Sequence, residues 1–362
     1  MKQNIFAAKG RAKELLKDER YLYPEFIPER LPHRDREIEE LAFALRPVLK
    51  GRKPENVFVS GKTGTGKTVT VKYVLKELAE YSDRAKSIFV NCFEFSSRHA
   101  ILSRIANSVG AVVPRRGTGS DEVIERMLAL IKKSDFTPII VLDEADQLLH
   151  EGEASKLFYD LVRAIEREKA RFGLVFISND SGLTARLDER VRSSLAEHSL
   201  VFEQYSAAQL EDILSERAEY AFFPNVLEKN AVGLIAAHAA RIGGDARVAI
   251  DCLLKAARAA EKENSEKVAA EHAKKAIAGI QPAQGQKALP FLSEQEKKIL
   301  VLLSENQASS GELYNKFKRN SQQAITLRRF REIINALEAK HLVKTSLVSL
   351  KGRGRTRIIT KT

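Results

Sequence analysis

The run VFVSGKTGTGKT at 57–68 constrains this chain more than any other stretch. It satisfies the spacing GxxxxGK followed by Thr at Gly61, Gly66, Lys67 and Thr68, with an apolar strand-like run before it and a helical pattern, VTVKYVLKELAEY, after it. Glycines at 61, 64 and 66 let the backbone wrap around phosphate oxygens, and the helix that follows presents unpaired N–H groups to negative charge. Lys67 is placed to reach β and γ phosphates and the Thr68 hydroxyl to ligand Mg2+, while Thr63, Gly64, Thr65 and Val69 complete the loop around a nucleotide. A strand, a phosphate loop and a helix in this order imply an α/β sheet.

Two further strand ends carry matching chemistry. In IIVLDEADQLL, Asp143 closes an apolar run and is placed for the magnesium shell, with Glu144 beside it to orient or deprotonate an attacking water. In GLVFISND, the amide of Asn179 follows the next apolar run and suits the same water or the γ-phosphate. These runs at 57–60, 139–142 and 174–178, with 87–91, read as buried parallel strands separated by helices. The expected ligands are ATP and ADP with Mg2+.

Strand signals stop after about residue 205. Segments 206–221, 224–240, 245–261 and 266–278 read as helices, the first opened by a capping box from Ser206 to Gln209. The stretch GIQPAQGQKALP reads as a linker. Beyond it, capping boxes at Ser293 to Glu296 and Ser309 to Glu312, a third helix near 325–340, and LVKTSLVSL–KGRGR–TRIIT describe three helices and a hairpin, a winged helix. The expected division is an α/β domain at 1–204 with an extended N-terminal stretch at 1–30, a helical domain at 205–280, a linker at 281–290 and a winged helix at 291–362.

Charge is distributed unevenly over this division. The 362 residues hold 60 Lys and Arg against 48 Asp and Glu, a net charge of +12. Residues 285–362 hold 16 Lys and Arg against 6 Asp and Glu, an excess of ten, which leaves two for everything before them. A folded module with so concentrated an excess suits a duplex nucleic acid. Arg328, Arg329 and Arg331 fall early in its third helix, where side chains approach base edges, and Lys351, Arg353 and Arg355 lie at the hairpin tip.

No run approaches the ~20 apolar residues of a membrane span, and the N-terminus lacks the apolar core of a signal peptide, so the expectation is a soluble intracellular chain with no membrane partner. Cys92 and Cys252 lack clustered partners, which argues against a disulfide framework or a zinc site.

Taken together, GKTGTGKT, VLDEAD, FISND, LDERVRSSL, VFEQY with ILSER, and GGDARVAIDCL resemble the AAA+ ATPases, and within them the archaeal replication initiators of the origin-recognition and cell-division-control type. The resemblance covers essentially the whole chain. It implies an AAA+ parallel-sheet domain, an all-α lid and a C-terminal winged helix. It places Pro28, Arg30, Leu31 and Arg34 against the adenine, and Tyr205 and Arg217 near ATP at the lid boundary. Arg247 corresponds to the lid arginine called sensor 2, consistent with a tight entry at Gly243 and Gly244 and a cap at Asp245. It offers Arg190, or else Arg192, as an arginine finger acting on a neighbouring subunit, and a DNA-gripping helix within 93–110 bearing Arg98 and Arg104. The implied activity is slow, switch-like ATP hydrolysis. The implied role is binding of double-stranded origin DNA, alone or beside another initiator subunit, and recruitment or loading of the replicative minichromosome-maintenance helicase, in a cytoplasmic, nucleoid-associated setting. Two other readings stay open at this point: an AAA+ ATPase of another DNA transaction, clamp-loader-like or a transposition helper, and a nucleotide-binding transcriptional regulator.

Overall fold

The computed structural model describes residues 14–113, 118–149, 154–168, 170–196, 198–279, 294–303, 307–320, 325–339, 342–349 and 355–361. The chain divides into two compact units, Met1–Gln281 and Pro282–Thr362.

In the first unit, helix α1 (Asp35–Leu45) leads into β1 (Val57–Gly61), α2 (Lys67–Tyr81), β2 (Ala85–Asn91), α3 (Arg98–Ser108), α4 (Ser120–Lys133), β3 (Thr137–Asp143), α5 (Ala154–Glu168), β4 (Gly173–Ser178), α6 (Glu189–Ala196) and β5 (Ser199–Phe202). The strands form one parallel sheet in the order β2-β3-β4-β1-β5. Side chains alternate through it. Val57, Val59, Val141 and Ile177 pack toward α1 and α2, whereas Phe58, Ile140, Leu142 and Phe176 pack with residues of α3, α4 and α5. Burial on both faces accounts for the continuous apolar runs of β3 and β4. The edge strand β5 escaped the sequence reading because it is four residues long and only Leu200 and Phe202 are buried.

Four helices follow: α7 (Ala207–Ala221), α8 (Lys229–Arg241), α9 (Ala246–Lys262) and α10 (Ala270–Gly279). Ser206 and Gln209 form the expected capping box at the head of α7. The stretch expected to be an extended lead into the sheet domain behaves otherwise over its described part. Leu15 and Leu22 are fully buried in the core of the four helices, and the Lys17 N–H donates to the Ala221 carbonyl at 2.8 Å. Tyr21 stacks on Tyr220 at 5.2 Å between ring centroids. The N-terminal segment is therefore pinned to the helical lid before the chain reaches the sheet.

The second unit consists of α11 (Glu294–Leu302), β6 (Gln307–Ser309), α12 (Ser310–Asn320), α13 (Leu327–Ala339), β7 (Val343–Ser349) and β8 (Arg355–Lys361). Its strands pair antiparallel in the order β6-β8-β7, and Ile299, Leu313, Phe317, Phe330, Leu337 and Ile359 fill its own core. The Ser309–Glu312 box is made in both directions, at 3.1 and 3.3 Å. The three-residue β6 carries too little pattern to be read from sequence. Ser293, residues 281–290, Lys351 and Arg353 lie outside the described residues. Among those described, no helix is long and apolar enough to cross a membrane.

Candidate nucleotide site

Parallel pairing brings the polar strand ends to one edge of the sheet. Asn91 is in register with Asp143, Ser60 with Ser178, and Gly61 with Phe202. In open α/β sheets this edge is where ligands bind. A cavity of about 420 Å³ opens there, walled by the phosphate loop, the strand ends, the segment from Pro24 to Pro32, and α7 and α9.

The loop needs its glycines for conformation and for space. Gly64 and Gly66 have φ of 75° and 89°, in the left-handed region, and a Cβ on Gly64 would lie 1.8 Å from the Asp245 carboxylate. A Cβ on Gly66 would lie 2.7 Å from the Tyr205 hydroxyl. Lys67 opens α2, buried, with Nζ donating to the carbonyls of Gly61 and Lys62 at 2.7 and 2.8 Å and to Asn179 Oδ1 at 2.9 Å. Burial pushes its pKa down to about 8, against the pull of Asp143. The Thr68 hydroxyl donates to the Asp143 carboxylate at 3.0 Å, and the Glu144 N–H donates to the same carboxylate at 3.0 Å. Glu144 has a left-handed backbone, φ 55°, at the strand end. Burial raises its carboxyl pKa, and the neighbouring Asp143 and Asp146 raise it further. Burial also raises that of Asp143, opposed by the Thr68 bond.

Of the sequence candidates, Pro28, Arg30, Leu31, Thr63, Gly64, Gly66, Lys67, Thr68, Val69, Asp143, Glu144, Asn179, Tyr205, Arg217 and Arg247 all line this cavity. Asp245 caps α9 by accepting the Arg247 N–H at 2.8 Å, which holds Arg247 in the first turn as the sequence suggested. Three candidates are placed differently. Gly61 and Thr65 belong to the loop but do not line the cavity. Nor does Arg34. Its guanidinium is buried beneath the loop, donating to the Thr65 and Glu203 carbonyls at 2.8 Å each and to the Tyr205 hydroxyl at 2.9 Å, paired with Glu37 and lying over the Tyr205 ring. It ties the loop to the connector between sheet and lid, and it makes no wall for an adenine. Arg217 reaches the cavity while donating to the Tyr21, Tyr23 and Phe26 carbonyls, so it anchors the N-terminal wall.

Among the residues the sequence reading passed over, three polar ones bear on the strand ends. Lys72 and Asn91 line the cavity beside Asp143. Asp146 accepts from the Asn179 N–H at 2.9 Å and from the Ser178 hydroxyl at 3.2 Å, fixing the strand end that carries Asn179. Asn91 was detectable by the rule that found Asp143 and Asn179, a polar residue closing an apolar strand.

The candidate DNA contacts divide. Arg98 is a correction: it is buried, donating to Asp160 at 2.6 Å and Asp121 at 2.7 Å, and so binds α3 to α4 and α5 rather than facing a duplex. Arg104 is exposed on α3. Arg328, Arg329 and Arg331 are exposed near the start of α13, the first two within 3.4 and 3.1 Å of Glu332. Arg355 opens β8, Arg190 lies in the first turn of α6, and Arg192 is exposed on the same helix.

The donor set fits a magnesium nucleotide. Loop glycines admit a close backbone approach, a buried ammonium faces oxygen acceptors, and a hydroxyl and a carboxylate stand together as hard oxygen ligands. Among the described residues no cluster of three or more His, Cys, Asp or Glu forms a protein-only metal cage.

A five-stranded parallel sheet with this loop, these acidic and polar strand ends and a helical lid carrying Arg247 defines an AAA+ ATPase. Residues 51–187 match the AAA domain family, and residues 211–278 match the Cdc6 AAA+ ATPase-type lid domain. The chain is 39% identical to the ORC1-type DNA replication protein of Pyrococcus abyssi, over 98% of this chain and 89% of that one. It is 36% identical to ORC1-type DNA replication protein 1 of Archaeoglobus fulgidus, over 98% and 90%. The solved structure of the Aeropyrum pernix ORC1 protein in complex with DNA matches with a TM-score of 0.81 and 37% identity, covering 96% of this chain and 94% of that one. Cdc6p from Pyrobaculum aerophilum, at 24% identity and a TM-score of 0.67, shares the fold over 96% and 94%. The chain belongs to the family of ORC1-type DNA replication proteins.

Proposed function

We propose that the chain is an ATP-regulated replication initiator that binds double-stranded origin DNA and helps recruit or load the replicative minichromosome-maintenance helicase. The observation that carries this reading is the meeting of Lys67, Asp143, Glu144 and Asn179 on the sheet with Arg247 on the lid around one cavity, in a chain of ORC1 type. A nucleotide at that point touches both elements, so its phosphate content bears on the angle between them.

Lys67 would meet the β and γ phosphates, and Thr68 and Asp143 would hold a Mg2+ ion, which would supply neutralisation of charge on the phosphate oxygens. Glu144, which follows Asp143 at the strand end and lines the same cavity, takes the proton of the attacking water. Asn179, fixed by Asp146, holds that water or the γ-phosphate. Arg247 brings a lid cation to the phosphates, and Arg190 or Arg192 serves a neighbouring subunit's ATP. As the resemblance to the initiator family implies, hydrolysis is slow and serves as a switch.

The DNA surface is the basic second unit, with Arg328, Arg329 and Arg331 on α13 entering the major groove and the hairpin tip, Lys351, Arg353 and Arg355, reaching the adjacent backbone or minor groove. Arg104 adds a contact from α3. The DNA complex of the 37% identical Aeropyrum pernix protein supports this reading.

Glu144→Gln separates binding from chemistry. The variant is expected to bind ATP with wild-type affinity while phosphate release falls on the order of 100-fold or more. Equal phosphate release by the variant and the wild type would remove Glu144 from the reaction.

A further inference from the structure

Asp245 does more than a cap requires. Its carboxylate accepts the Arg247 N–H at 2.8 Å, which a neutral Asn or Ser oxygen does equally well. It also faces the Arg247 guanidinium, with Nη2 at 3.3 Å from Oδ2 and Nε at 3.5 Å from Oδ1. And it lies directly against Gly64 of the phosphate loop, in space a Cβ there would occupy. The adjoining Ala246 N–H donates to the Gly64 carbonyl at 3.1 Å, which holds the carboxylate in that position. A negative charge is thus fixed beside a loop built for anions, and its cationic partner is the lid arginine that faces the same cavity. The Asp245 side chain is 19% exposed and that of Arg247 53%, so the acid is the fixed member of the pair and the arginine the movable one.

We infer that Asp245 competes with nucleotide phosphate for Arg247 and thereby lowers nucleotide affinity, making release easier and the switch reversible. The inference rests on the nucleotide-site reading and assigns Asp245 as a positioning residue within it. Binding costs the Asp245–Arg247 ion pair, and departure of the nucleotide restores it. A neutral cap keeps α9 intact and frees the arginine.

The test is ADP binding by the full-length protein, measured by calorimetry, for wild type, Asp245→Asn, Asp245→Ser, Arg247→Gln and the double variant Asp245→Asn with Arg247→Gln. Both cap-preserving variants are expected to bind ADP about two- to tenfold more tightly than wild type, the scale of a partly exposed ion pair. The gain is expected to shrink towards none in the Arg247→Gln background. Circular dichroism of each variant checks that the lid remains folded, and the serine variant serves if the asparagine one does not fold. Unchanged or weaker ADP binding by the folded neutral-cap variants overturns the inference. So does an equal gain in the Arg247→Gln background, which would make Asp245 a simple repeller of phosphate. Failure of the wild type itself to bind ADP overturns the nucleotide-site reading instead.

Discussion

Lys67→Ala is expected to abolish measurable ATP binding and to lower phosphate release on the order of 100-fold or more, the scale for loss of one preorganised charge-stabilising group. The side chain is buried and spans from the loop carbonyls of Gly61 and Lys62 to Asn179 on the neighbouring strand end. Removing it takes away the ammonium and also leaves those acceptors without their donor, so no neighbour restores the missing charge. Lys72 stands farther along α2 and lines the cavity beside Asp143, where it does not replace a cation at the head of the helix. The C-terminal unit has its own core, and its DNA binding is expected to survive the substitution. Nucleotide titration and a DNA-binding assay of the full-length variant check both halves. Unchanged ATPase activity would reject the site.

Deleting residues 282–362 is expected to produce the opposite loss. Residues 1–281 retain every residue lining the cavity and should bind nucleotide as the full chain does. DNA affinity should fall sharply, because residues 285–362 carry ten of the twelve net positive charges. Salt dependence is the sharper readout: each phosphate that the protein no longer neutralises flattens the slope of log K against log salt by about 0.9. A truncated protein with unchanged affinity and slope would move the DNA surface to the first unit, where Arg104 is exposed.

How much of this was legible in the sequence depended on distance along the chain. The phosphate loop, the acidic strand end and the cap of α9 are local patterns, and they bring Lys67, Thr68, Asp143 and Arg247 to one cavity. Arg98 was misread because its partners, Asp121 and Asp160, are 23 and 62 residues away. A lone arginine on a helix of mixed polarity looks like a surface charge until those partners are known. Arg34 failed for the same reason, since its partners lie at Thr65, Glu203 and Tyr205, brought together only when β5 joins the sheet. That strand was itself hidden by its brevity and half-exposed face. The N-terminal segment packs on α7 and α9 from the far end of the chain, and two buried leucines carry no periodicity that names their partner. Asp146, in contrast, was present in the acidic motif and was passed over in favour of its neighbours.

The central claim is that nucleotide state governs how this chain holds origin DNA, and DNA footprinting of the full-length protein with ATP and with ADP tests it most directly. The account predicts protection at discrete sequences within origin DNA and a footprint whose extent differs between the two nucleotides, with that difference absent in Lys67→Ala. Protection without sequence preference, or identical footprints with ATP and ADP, would contradict it.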